Sequence, residues 1–288
     1  MKVFAVGSKG QLGLTLAETV PGAVDFAGAD LPDLDITDLR ALAARLAAER
    51  PDFVVNAAAY TAVDMAESEP DVARHINVDG ARNVAEAAGE AGARVIYIST
   101  DFVFDGEKSA PYAPDDAPAP LSVYGRTKLD GEAAVLDGTE GDAIVIRTAW
   151  LYSRFGQNFV KTMLRLMGER DTLSVVADQR GTPTWARSLA EVIWAAIDQD
   201  LPGGVYHWTD GGEASWYDFA EAIYKEARGS GMLDRDVEIR AIPTEEYPTP
   251  ARRPAYSVLD CSATVAALGV EQHPWATRLQ QMLTDMRD

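Results

Sequence analysis

The chain is short of nearly everything that would place it in a disulfide-bonded, metal-built or membrane class. Its 288 residues include one cysteine, Cys261, so no internal disulfide can form. Three scattered histidines lack the ligand spacing of a zinc site. No stretch approaches the roughly 18 consecutive apolar residues of a membrane-spanning helix. The start, MKVFAVGSKGQLG, lacks the longer apolar region and cleavage site of a signal peptide. These absences predict a cytoplasmic protein without membrane or metal partners. Lysine is also scarce, 6 residues against 20 arginines, and the net charge is −19. That charge excludes nucleic acid as a partner, because a polyanion needs a basic face. An acidic, lysine-poor surface suits a concentrated-salt, halophilic setting, where screening removes most of the self-repulsion.

What is present is a strand–helix alternation. Short apolar runs at Val3–Val6, Val24–Ala27, Phe53–Val55, Arg94–Ile98 and Ala143–Ile146 are separated by segments with helical spacing. Leu12, Leu16 and Val20 form one such stripe, and Leu39, Leu42 and Leu46 another. Val72, Ile76, Val84 and Ala88 form a third, and residues 124–136 read as a further helix. The pattern predicts an α/β fold: a Rossmann-type, doubly wound parallel sheet with helices on both faces. After Arg147 the periodicity blurs. Helices are expected at 159–166, 185–197, 216–227 and 276–286, with a short strand at 204–207. The expected division is a dinucleotide-binding domain over 1–151, completed by about 180–205. A smaller, interleaved α/β substrate-binding domain would take 152–179 and 206–288.

Two constellations carry chemistry. The first is VGSKGQLG, which sets Gly7, Gly10 and Gly13 between a strand and a helix. Glycines there let backbone approach a pyrophosphate, and the helix N-terminus offers N–H groups and a positive dipole end. Asp30 follows the second strand at the distance where an acid bonds the adenosine ribose. A carboxylate there repels a 2′-phosphate, so NADH is favoured over NADPH, with Lys9 the one nearby base that softens the preference. The second constellation is SVYGRTKLDGE, where Tyr124 and Lys128 share a helix face. A phenol ordinarily loses its proton near pH 10. An ammonium one turn away favours the phenolate and lowers that barrier. Thr100, at the carboxyl end of the fourth strand, can hold a carbonyl oxygen in line with the phenol.

These residues resemble the extended short-chain dehydrogenase/reductases. NAAAYTAVDMAESEP, STDFVFDG, RTAWLY, NFVKTMLRL, DQRGTPT and YPTPARRP extend the likeness, over nearly the whole chain, to the dTDP-4-dehydrorhamnose reductases. The resemblance implies reduction of the C4 ketone of a dTDP-4-keto-6-deoxyhexose. Tyr124 would be the proton donor and Lys128 its partner and the anchor of the nicotinamide ribose. Gly10, Gln11, Leu12, Asp30, Asp35, Ile36, Ala57, Ala58 and Ala59 would bind the cofactor. Thr100 and Asp101 would contact the substrate, and Trp150 would line the sugar pocket. Thr15 stands where some members carry a magnesium-binding glutamate at a dimer interface. A monomer or a dimer without a metal bridge is therefore expected.

An anionic sugar nucleotide must approach a protein of charge −19, which requires local cations. Arg252 and Arg253, on the proline-stiffened PTPARRP, are the candidates for its pyrophosphate. Phe102, following Asp101, argues against the dehydratases of the superfamily, which carry a glutamate there. An epimerase uses the same tyrosine and lysine and stays open. So does a non-catalytic regulatory subunit like that of methionine adenosyltransferase.

Overall fold

The structure, a computed structural model, describes residues 1–287. The first half builds β1 (Lys2–Val6), helix α1 (Gln11–Glu18), β2 (Asp25–Ala29), helix α2 (Leu39–Glu49), β3 (Phe53–Asn56), β4 (Arg94–Thr100) and β5 (Ile144–Thr148). Together with Gly204–His207 these strands form one six-stranded sheet, in the order 204–207, β5, β4, β3, β1, β2. Every pair in it is parallel. β3 and β5 are buried along their whole length, as strands covered on both faces must be. β2, at the edge, is buried only at its last residue.

The period-2 geometry of a strand divides the apolar residues between two cores. Val3, Ala5, Val55, Ile96 and Ile144 face Leu12 and Leu16 of α1 and the helix Ala186–Asp198. Phe4, Val6, Val54, Val95 and Val145 face Leu42 and Leu46 of α2 and Val84 and Ala88 of the helix Ala81–Ala91. Leu16, Leu42 and Leu46 are fully buried, each contributing roughly 1.5–3 kcal/mol. The helical stripe over 72–88 is interrupted: Pro70–Arg74 is α-helical, His75–Gly80 forms a π turn, and the α-helix resumes at Ala81. Val72, at its start, is exposed and not part of either core.

A third apolar cluster is assembled from Phe159–Glu169, Trp216–Gly229 and Trp275–Asp285, with Phe219 at its centre. Two parallel strands, Thr172–Val176 and Glu238–Ile242, which periodicity did not reveal, flank it. Trp208, Leu259, Cys261 and Leu268, from the part of the sequence expected on the substrate side, instead pack into the first core. No helix among the described residues is long and apolar enough to cross a membrane.

Candidate active site

β1 is flanked by β2 on one side and β3 on the other, so the chain reverses its winding direction there. Such a switch point opens a crevice at the carboxyl ends of the strands. Here it is a cleft of about 1110 Å³, running from Gly7 past Asp30 and Ile36 to Thr100, Tyr124, Lys128 and Trp150.

The glycine turn floors one end. Gly7 has φ +76°, and a Cβ on it would lie 2.6 Å from the Ala58 nitrogen. Only a glycine meets both demands. Gly10 caps α1 with no side-chain hydrogen bond, leaving the first N–H groups of the helix for a ligand. Gly13 does not line the cleft; a Cβ there would collide with the backbone of Gly7 and Ser8, so it seats helix against turn. Gln11, Leu12, Asp35, Ile36, Ala57, Ala58 and Ala59 all line the cleft. The Asp30 carboxylate accepts hydrogen bonds from the backbone N–H groups of Lys9 and Leu31, both at 2.8 Å. The Lys9 ammonium turns to Asp33, at 3.0 Å. The cleft therefore offers an uncapped helix end, a close-approach turn and an acid in the order a dinucleotide requires.

The tyrosine helix, Val123–Gly138, begins at Ser122, whose hydroxyl accepts from the Gly125 nitrogen at 3.1 Å. A Cβ on Gly125 would lie 2.2 Å from the Phe102 carbonyl oxygen, so glycine lets the helix press against the end of β4. Phe102 meets the Tyr124 ring edge-on, with centroids 5.7 Å apart. The Thr100 hydroxyl donates to Asp101 Oδ1 at 3.1 Å and accepts from the Phe102 nitrogen at 3.2 Å. The Lys128 ammonium donates to the Ile98 carbonyl at 2.7 Å and lies 4.1 Å from the Tyr97 ring centroid.

Burial dominates the electrostatics of the site. Burial pushes the Tyr124 phenol up to about 12; the Thr100 hydrogen bond opposes this and the Asp101 charge adds to it. The Lys128 ammonium is engaged by the Ile98 carbonyl and the Tyr97 ring. Burial in turn lowers Lys128 to about 7, opposed by Glu132. Asp101, buried, is raised to about 6. The phenol is held protonated throughout the neutral range, which is the state a proton donor needs.

At the other end of the cleft, Trp150 has φ +47° and stacks on Trp216, with ring centroids 3.5 Å apart. Both line the cleft. Trp216 escaped sequence reasoning; its one signal was an aromatic directly after the capping box at Ser215. Thr148 also lines the cleft, register-paired with Thr100 across β4 and β5, and went unnoticed inside an apolar run. Arg253 reaches the cleft, but its guanidinium forks onto Asp64 at 2.9 and 2.8 Å. Arg252 is exposed and outside the cleft lining. Thr15 is buried and donates to the Gln11 carbonyl. No cluster of three or more potential metal ligands occurs among the described residues.

A parallel sheet with a glycine turn at its switch point, and a Tyr-x-x-x-Lys helix facing the same cleft, define a Rossmann-fold protein of the extended short-chain dehydrogenase/reductase class. The sequence model described as RmlD substrate binding domain matches residues 1–288. The chain belongs to that family, the dTDP-4-dehydrorhamnose reductases. It is 40% identical to the dTDP-4-dehydrorhamnose reductase of Sinorhizobium fredii, over 98% of this chain and 97% of that one. The structure of a Clostridium acetobutylicum dTDP-4-dehydrorhamnose reductase is similar with a TM-score of 0.93 at 40% identity, covering 100% of both chains. That of Bacillus anthracis, solved in complex with NADP, is similar with a TM-score of 0.93 at 38% identity, covering 99% of each.

Proposed function

We propose that this chain reduces the C4 ketone of a dTDP-4-keto-6-deoxyhexose, converting dTDP-4-dehydro-L-rhamnose to dTDP-L-rhamnose, with Tyr124 as proton donor. The observation that carries the reading is the convergence of Thr100, Tyr124 and Lys128 on a cleft that begins at an uncapped helix end. When bound, a reduced nicotinamide supplies the hydride for C4. The Thr100 hydroxyl and the Tyr124 phenol hold the carbonyl oxygen, and Tyr124 releases its proton to that oxygen as the alcohol forms. Lys128, as an ammonium, stabilises the phenolate left behind. Gly10, Gln11, Leu12 and Asp30 hold the dinucleotide. NADH is the favoured form, because Asp30, Asp33 and Asp35 crowd the ribose end and Lys9 is already paired.

Trp150, stacked on Trp216, presents an apolar wall to the sugar, and Asp101 bonds a sugar hydroxyl. Arg253 exchanges Asp64 for the pyrophosphate, which restores a full positive charge where the anion arrives. The first two cores carry the dinucleotide side, and the third cluster carries the sugar side. The protein works in the cytoplasm as a monomer or as a dimer without a metal bridge.

Purified protein should oxidise NADH, and NADPH less efficiently, only when a dTDP-4-keto sugar is present. Tyr124→Phe should lower kcat by about 100-fold or more while leaving cofactor affinity near the parent value. Turnover of that variant at the parental rate would refute the proton-donor assignment. An absence of keto-sugar-dependent oxidation by the parent would favour the regulatory-subunit reading, and product retaining the ketone with an inverted neighbouring centre would favour an epimerase.

A further inference from the structure

The tyrosine helix carries a third residue on the stripe of Tyr124 and Lys128. Glu132 stands one further turn along and is almost wholly buried. Its carboxylate is gripped from two strands. From β5, Arg147 donates through Nε to Oε1 at 2.9 Å and through Nη2 to Oε2 at 2.8 Å, a bidentate fork. From β4, the Ser99 hydroxyl donates to Oε1. Ser99 directly follows Ile98, whose carbonyl accepts from Lys128. Two consecutive residues of one strand therefore hold Lys128 and Glu132 in register.

Arg147 is itself fixed. Its Nη1 donates to the Pro114 carbonyl at 3.3 Å and faces His207 Nε2 at 3.5 Å. His207 Nδ1 lies 3.0 Å from the Tyr112 carbonyl, which makes Nδ1 the protonated nitrogen. Burial and Arg147 hold His207 down at about 4, so it stays neutral. A buried pair of this kind is weak evidence for stability, since well-packed apolar residues serve as well. Its placement beside the reacting lysine suggests another use.

We propose that Glu132 is a positioning residue for the proton-donating pair: clamped by Arg147 and Ser99, it fixes the lysine-bearing face of the helix and supplies the negative charge that keeps Lys128 an ammonium. Lys128 sits over the Tyr97 ring of β4, between Tyr124 and Glu132 on its own helix stripe; Asp101 acts on Tyr124, and Arg147 of β5 is paired with Glu132. Glu132 is the one charge that raises Lys128 against the effect of burial. The inference rests on the reductase reading only for its kinetic part.

The test is Glu132→Gln, which keeps the shape and removes the charge. Protein labelled with 13C-lysine is titrated by NMR, its 6 lysines few enough to resolve, with Lys128→Arg identifying the signal. In the parent one lysine should titrate near neutral pH; in E132Q that titration should move down by about one pH unit or more. The alkaline limb of kcat/KM should move with it, giving about a tenfold loss above the limb and a much smaller one below it. A Lys128 titration that stays in place, or a pH profile merely scaled down in parallel, would overturn the proposal in favour of a structural ion pair. If E132Q does not fold, the double variant E132Q/R147Q removes both charges, and because the loss of Arg147 offsets part of the loss of Glu132, a smaller downward displacement is expected of it; an unmoved titration there overturns the proposal equally. Failure of the parent to oxidise NADH or NADPH with the keto sugar would count against the reductase reading, and the NMR titration would still decide the role of Glu132.

Discussion

At the scale of single residues, the protein spends buried charge in few places. Asp210 is one: it is almost fully buried, Oδ2 accepts from the Trp185 nitrogen at 2.9 Å, and Oδ1 has no partner. Burial raises it from 3.8 to about 7. The folded protein then holds a proton that the unfolded chain releases between about pH 4 and 7, so stability falls as pH rises through that window and levels off above it. Asp210→Asn keeps the acceptor for Trp185 and removes the titration. Thermal denaturation of the two proteins should show the variant higher by several degrees at pH 8, with the gap closing towards pH 4. A gap that does not change with pH would refute the assignment. That Tyr124, Lys128 and Asp30 line one cleft was legible from their types and spacings. Arg253 was legible as a cation, but its Asp64 partner lies 189 positions away, and no local signal announces it.

At the scale of elements, the tyrosine helix depends on one missing methyl. An alanine at a solvent-facing helical glycine stabilises by about 1 kcal/mol. At Gly125 the new Cβ would lie 2.2 Å from the Phe102 carbonyl, a rigid backbone atom. Overpacking of this kind costs about 1–3 kcal/mol, and displacing the helix also displaces Tyr124 and Lys128. Gly125→Ala should therefore lower both the unfolding free energy in urea and kcat, the latter by about 100-fold for a shift near 1 Å. A stabilised, fully active variant would show that the helix and the strand end are not in contact. The strands of the six-stranded sheet and most of the long helices were readable from periodicity to within a few residues. The π turn at His75–Gly80 was not, because an extra residue in one turn leaves the apolar stripe almost intact. Thr172–Val176 was missed because its buried positions alternate with exposed polar ones over only five residues.

At the scale of the whole molecule, a charge of −19 sets the solution behaviour. Most of the ion pairs are at the surface, where each is worth at most about 1 kcal/mol. The excess of acids repels itself at low salt, and screening relieves that repulsion over a Debye length of about 10 Å at 0.1 M. The melting temperature should rise between 0.1 and 2 M KCl, and a fall across that range would remove the case for a high-salt setting. Substrate capture should also be salt-sensitive, because Asp30, Asp35, Asp71 and Asp101 line the cleft against Lys128 and Arg253.

The amino-acid sequence by itself determined the parallel sheet, the glycine turn and the tyrosine–lysine helix, since each is set by residue type and short-range spacing. Only the tertiary structure decided which groups meet. It set Lys128 against the Ile98 carbonyl, stacked Trp150 on Trp216, closed Arg253 onto Asp64, and buried Glu132 against Arg147. Those contacts join segments that the chain brings together only when the sheet and the third cluster close around the cleft, and a local pattern carries no record of them.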